Sequence, residues 1–115
     1  MNASEPTRGD VWDLSFDPTT GHEQAGVRPA LIVSVDLFNV GPADLVVVVP
    51  ITRTRRGIRW HVHIKPPEGG LVSESFIQCE NVRSVSKKRL KRMRGRVSVY
   101  TLQEVEDRLR ILMGL

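Results

Sequence analysis

The chain has one cysteine, two Trp, one Tyr and three Phe in 115 residues, and no long apolar run. Each scarcity excludes something. Cys79 alone cannot close an internal disulfide, which fits a reducing compartment, and it reads as a small buried hydrophobe in a strand rather than a nucleophile. So few aromatics argue against an extended platform for stacking bases, and Trp12 and Trp60 are expected in the core. Nothing is long and apolar enough to span a membrane, and Met1 to Arg8 lacks the charged start and apolar stretch of a secretion signal, so a cytoplasmic protein without a membrane partner is expected. No glycine-rich loop with a lysine follows a strand, so phosphate-loop chemistry finds no support.

Acidic residues are also missing from two particular places. Thr52 to Trp60 holds Arg53, Arg55, Arg56 and Arg59, and Arg83 to Arg96 holds eight more basic residues; together they carry 12 of the 17 Lys and Arg and no carboxylate. The net charge is only +4, but this segregation is costly in self-repulsion unless a polyanion lies nearby. It is compatible with phosphate contact and equally with a solvated basic face. The length suits one domain over 1–115 with a modest core. An enzyme this small has little room for a deep pocket, and a cleft shared between two copies would supply one.

What is abundant is strand pattern. Trp12, Leu14 and Phe16 alternate onto one face of a strand over 10–16. Residues 1–7 are polar and expected to fray, and 17–26 reads as a long loop of turn formers. Ala30–Val35 and Leu45–Ile51 are dense in Val, Ile and Leu, as in strands covered on both sides, with a turn around Gly41-Pro42 between them. Trp60 to Ile64 alternates again, with His61 and His63 on the face away from the core. Short strands are predicted over Phe76–Cys79, Val82–Val85 and Gly95–Val99, with Ser86 capping a single helical turn. Thr101 with Glu104 forms a capping box for a terminal helix whose stripe is Leu102, Val105, Leu109 and Leu112 and which Gly114 ends. The sum is a mainly β fold, a strongly bent antiparallel sheet or barrel carrying one C-terminal helix.

Three stretches then fall into a recognisable order. Arg8-Gly9-Asp10-Val11-Trp12 opens the first strand, Gly21-His22-Glu23-Gln24-Ala25-Gly26-Val27-Arg28-Pro29 precedes the second, and Val49-Pro50-Ile51-Thr52 ends the third. With Glu80 to Val85, Lys88-Arg89-Leu90 and the closing helix, this resembles the MazF/PemK (Kid) family of toxin endoribonucleases along nearly the whole chain. The resemblance implies an SH3-like barrel, a homodimer, a MazE-like antitoxin as partner, and cleavage of single-stranded RNA without metal or other cofactor. It further implies a 2′,3′-cyclic phosphate and a 5′-hydroxyl as products. Asn81 departs from the glutamine common at its position, and His22 from a small residue.

The residues suit that chemistry. RNA carries its own nucleophile, so an enzyme must take a proton from the 2′-hydroxyl, stabilise charge on phosphorus and protonate the leaving oxygen. Arg28 offers a planar fork for two phosphate oxygens, and Pro29 keeps it extended. Thr52 supplies a hydroxyl where an apolar strand meets a basic loop. By resemblance Arg28 and Thr52 are the functional pair, and Glu23 is the carboxylate candidate for base or positioning. Gln24 and Asn39 are candidates to read base edges, and Arg53, Arg55 and Arg56 to line the RNA path. Two other classes fit the residues less well. A noncatalytic CcdB-type gyrase poison acts through a terminal Trp-Gly-Ile, where this chain has Met113-Gly114-Leu115; a plain nucleic-acid-binding barrel has no use for the loop before Arg28. His61 and His63 share a strand face, but two ligands do not make a zinc site.

Overall fold

The computed structural model describes residues 5–16 and 26–115. Among these the order is β1 (Asp10–Phe16), β2 (Gly26–Ile32), a one-turn α1 (Asp36–Asn39), β3 (Leu45–Thr52), β4 (His61–Ile64), β5 (Ser75–Gln78), β6 (Arg83–Ser86), β7 (Leu90–Arg96) and α2 (Val99–Met113). Every strand pairing is antiparallel. The strands run β4-β5-β3-β2-β1-β7, with β6 added beside β3.

Alternation on β1 divides the core in two. Val11 joins Leu31, Val49, Ile51, Val62, Ile64 and Ile77 under Val105 of α2, whereas Trp12, Leu14 and Phe16 join Ala30, Ile32, Val46, Val48 and Val85 on the other face. Because β3 is covered on both sides, its run of valines needs no polar face. The sheet bends until its ends approach. Following β4, the turn at Glu68–Gly70 crosses β7 so tightly that a Cβ on Gly70 would lie 2.1 Å from the Arg94 carbonyl oxygen, and one on Gly95 would lie 2.6 Å from the Gly70 nitrogen.

Several expected boundaries shift. Residues 5–7 do not fray: Pro6 is buried, the Thr7 N–H donates to Asp10 Oδ2 at 2.9 Å, and Glu5 pairs with Lys87 at 2.8 Å. The last strand starts at Leu90 and ends at Arg96, because the arginines of 92–96 find carboxylates on β1, and Val99 already belongs to α2. Ser98 rather than Thr101 is the N-cap of α2; its hydroxyl accepts from Thr101 N–H at 3.1 Å. The returning carboxylate of the capping box comes from Glu68, which accepts from Ser98 N–H at 2.9 Å and from the Thr101 hydroxyl. Gly114, at φ 72°, ends the helix as its left-handed cap. Trp60 lies just before β4 and is half-buried rather than in the core, with the Arg59 guanidinium 5.9 Å from its ring.

Candidate active site

The site lies where the sheet forks. The last β2–β3 partners are Ala30 and Pro50; beyond them β3 turns to β5 through Ile51–Ile77 and Thr52–Phe76, while β2 stays with β1 through Leu14–Arg28. Pro29 and Pro50 have no N–H to give to a ladder, so pairing is weakest at this point. Continuing the β2–β3 register by two residues sets Arg28 opposite Thr52, with the strands now apart. A cavity of about 200 Å³ opens in the fork, lined by Arg28, Thr52, Arg53, Ser73, Ser75 and Arg94 among others, with exposed Val27 and Val72 also on its walls.

Its two lining arginines from β2 and β7 differ. Arg94 is committed to the fold: Nη1 donates to Asp13 Oδ1 at 3.2 Å and Nη2 to the Gly70 carbonyl at 3.2 Å. Arg28 is exposed and no carboxylate among the described residues pairs with it. Thr52 is half-buried, and its hydroxyl accepts from Thr54 N–H at 3.1 Å, which leaves its proton available to a ligand oxygen. A mobile proton donor and an uncommitted guanidinium thus face one cleft, as a phosphodiester would require.

The other sequence candidates separate. Arg53 lines the cleft and Arg56 is exposed beyond it. Arg55 is exposed but paired with Glu74 at 3.3 Å. Asn39 drops out as an RNA contact: it is fully buried, its Nδ2 donates to the Ser34 carbonyl at 3.0 Å, and its Oδ1 accepts from the Ser34 hydroxyl. That pair fixes the turn between β2 and β3, since Ser34 Oγ also accepts from Val47 N–H at 2.9 Å. His22, Glu23 and Gln24, with 17–25 of the loop expected over 17–26, lie outside the described residues, and Gly26 already opens β2. The two histidines also part company. His61 is buried with Nε2 2.8 Å from Glu80 Oε2, while His63 is exposed beside Glu74. No group of three or more metal-ligating side chains occurs among the described residues. Arg94, Ser73 and Ser75 carry no signal in the sequence; only the bend that brings β7 and the start of β5 to the fork identifies them.

The Arg8-Gly9-Asp10 opening proves structural. Asp10 is buried, binding Arg96, the Trp12 indole N–H at 3.1 Å and Thr7, while Arg8 reaches Glu106 on α2 and its N–H donates to Asp36 Oδ1 at 2.7 Å.

Comparison with known proteins identifies the family and the fold. A family profile described as PemK-like, MazF-like toxin of type II toxin–antitoxin system matches residues 7–113. The chain belongs to this toxin family. The same fold is seen in MazF from Deinococcus radiodurans, at 31% identity and a TM-score of 0.83 over 96% of this chain and 97% of that one. A MazE–MazF complex from the same organism matches at 29% identity and a TM-score of 0.80, covering 96% of this chain and 97% of that one. An endoribonuclease from a mycobacterial species matches at 28% identity and 0.75, over 96% and 93%. As a family toxin with a mainly antiparallel β fold and a C-terminal helix, the chain meets the fold and family expectations of its sequence. Among its described residues no helix is long and apolar enough to cross a membrane.

Proposed function

We propose that this toxin is a sequence-selective endoribonuclease that cuts single-stranded RNA by attack of the substrate's own 2′-hydroxyl. The observation that carries the reading is the convergence of Arg28 and Thr52 on one cleft, with the guanidinium free of any described carboxylate. Arg28 holds the non-bridging oxygens and offsets the charge that grows on phosphorus, where a preorganised donor contributes most. Thr52 donates to a phosphoryl oxygen or to the attacking 2′-oxygen. The 2′-oxygen bonds to phosphorus as the bond to the 5′-oxygen breaks; the proton leaving the 2′-hydroxyl goes to a base, and the 5′-oxygen takes one up. The products are a 2′,3′-cyclic phosphate and a 5′-hydroxyl, and no metal is required because nucleophile and charge stabilisation are both supplied.

Glu23 is the carboxylate we assign to that base or to positioning, on the strength of its place in the family element before Arg28. Gln24 is assigned to base contact on the same ground. Arg53 and Arg56 carry the strand beyond Thr52. The working form is a homodimer in the cytoplasm, neutralised by a MazE-like antitoxin, in line with the MazE–MazF complex among the similar structures.

The test is cleavage of single-stranded RNA in the presence of chelator by the wild type, Arg28→Ala and Thr52→Val. Wild-type cleavage is expected, with each variant slower by about 100-fold or more, the usual effect of removing one transition-state donor. Both substitutions are at or near the surface, so thermal stability should be nearly unchanged. Two variants cutting at wild-type rates would remove the site assignment.

A further inference from the structure

A second constellation lies beside the cleft and is not used above. Thr52, Phe76 and His63 stand abreast on β3, β5 and β4. With strands about 4.8 Å apart, His63 sits about 10 Å from Thr52, within reach of the base adjoining a phosphate held there. Ser73 and Ser75 line the cleft, and Glu74, which stands between them in sequence, has a side chain 46% exposed beside it. Its Oε2 is held twice, by His63 Nε2 at 2.5 Å and by Arg55 Nη2 at 3.3 Å, whereas Oε1 has no partner among the described residues. Phe76 fixes both holders. The His63 imidazole stacks on it with centroids 5.0 Å apart and planes 13° off parallel, and the Arg55 guanidinium lies 4.9 Å from the centroid of the same ring.

A carboxylate on an RNA path repels phosphates, so its presence needs a use. Arg55 offsets the charge, and the oriented, unfilled Oε1 remains a strong acceptor. What RNA can offer such an acceptor is a base N–H. Cytosine, adenine and guanine each carry an exocyclic amino donor, whereas uracil presents one N–H between two carbonyl oxygens that an anion would repel. We infer that Glu74, held by His63 and Arg55, reads a nucleobase bearing an exocyclic amino group beside the scissile phosphate and selects against uracil there. This inference rests on the endoribonuclease reading.

The experiment is to sequence the 5′ ends of fragments cut from a randomised RNA pool by the wild type, Glu74→Ala, Glu74→Gln and Arg28→Ala. The wild type should disfavour uracil at one position near the cut. Glu74→Ala should lose about tenfold of that discrimination at that position alone, the scale of one good base contact. Glu74→Gln, which keeps an acceptor oxygen, should retain part of it, and Arg28→Ala should depress cleavage at every sequence. An unchanged profile for Glu74→Ala, or a uniform loss of rate with the profile intact, would overturn the inference while leaving the endoribonuclease reading standing. A wild type that leaves the pool whole would instead overturn that parent reading, and this one with it.

Discussion

Arg28 and Arg94 line the same cleft, yet Arg94 is spent on Asp13 and Gly70 and Arg28 is not. That difference decides which arginine can meet a phosphate, and residue type alone does not reveal it. Arg28→Lys keeps the charge but loses the two-pronged donor, so its cleavage rate should fall between wild type and Arg28→Ala. Equal rates for Arg28→Lys and wild type would mean that a point charge suffices. Asn39 teaches the same lesson in reverse, since a polar loop residue read as a base contact turned out to satisfy Ser34 inside the fold. Cys79 is buried as expected, but it opens the 3-10 turn after β5 rather than lying in the strand. The buried thiol is pushed up to about 12 from 9.0, chiefly by desolvation, with Glu80 adding to the rise and Arg108 opposing it. It should therefore resist alkylation until the chain unfolds. The linkage has a definite sign: from about pH 9 upward the unfolded chain loses this proton while the folded one keeps it, so stability falls as pH rises toward 12. Urea midpoints of wild type and Cys79→Ala at about pH 8 and about pH 10 check this, the loss being smaller in the variant.

Elements were legible where a pattern was local and obscured where a partner came from far along the chain. The alternation of β1, the valine run of β3 and the stop at Gly114 all stand as expected, because each follows from neighbouring residues. The α2 cap did not, because its carboxylate is Glu68, thirty positions before Ser98. Glu68→Ala should cost about 1 kcal/mol, the usual loss for a helix cap, and thermal unfolding would read it. No change in melting temperature would show that the cap is dispensable. The crossing of Gly70 and Gly95 was equally hidden, since nothing in either neighbourhood says that two backbones meet. Gly95→Ala should destabilise by about 1 to 3 kcal/mol through overpacking against backbone that cannot move aside. The masked alternation of Arg92, Arg94 and Arg96 led to a strand placed too late; only the carboxylates of β1 explain why so basic a segment pairs at all.

At the scale of the whole molecule, the segregated charge seen in the sequence is partly dissolved by folding. Arg92 and Arg94 meet Asp13, Arg96 meets Asp10, Lys87 meets Glu5, and the Arg83 guanidinium lies 5.0 Å from the Phe16 ring. The cations left without a described carboxylate near the cleft are Arg28, Arg53 and Arg56. If these three carry the backbone contacts, the logarithmic dependence of RNA affinity on salt should have a slope of about −2 per cleft, against about −8 if all twelve clustered basic residues took part. Titrations of a noncleavable oligonucleotide across a tenfold salt range distinguish the two values.

The central claim is that the attacking group belongs to the substrate and that Arg28 and Thr52 serve the phosphate it attacks. It is tested most directly with two oligonucleotides of one cleavable sequence, differing only by a 2′-deoxyribose on the 5′ side of the cut. The all-ribose strand should be cleaved to a cyclic phosphate and a 5′-hydroxyl, and the substituted strand should stay intact at that bond; equal cleavage of both would contradict the account.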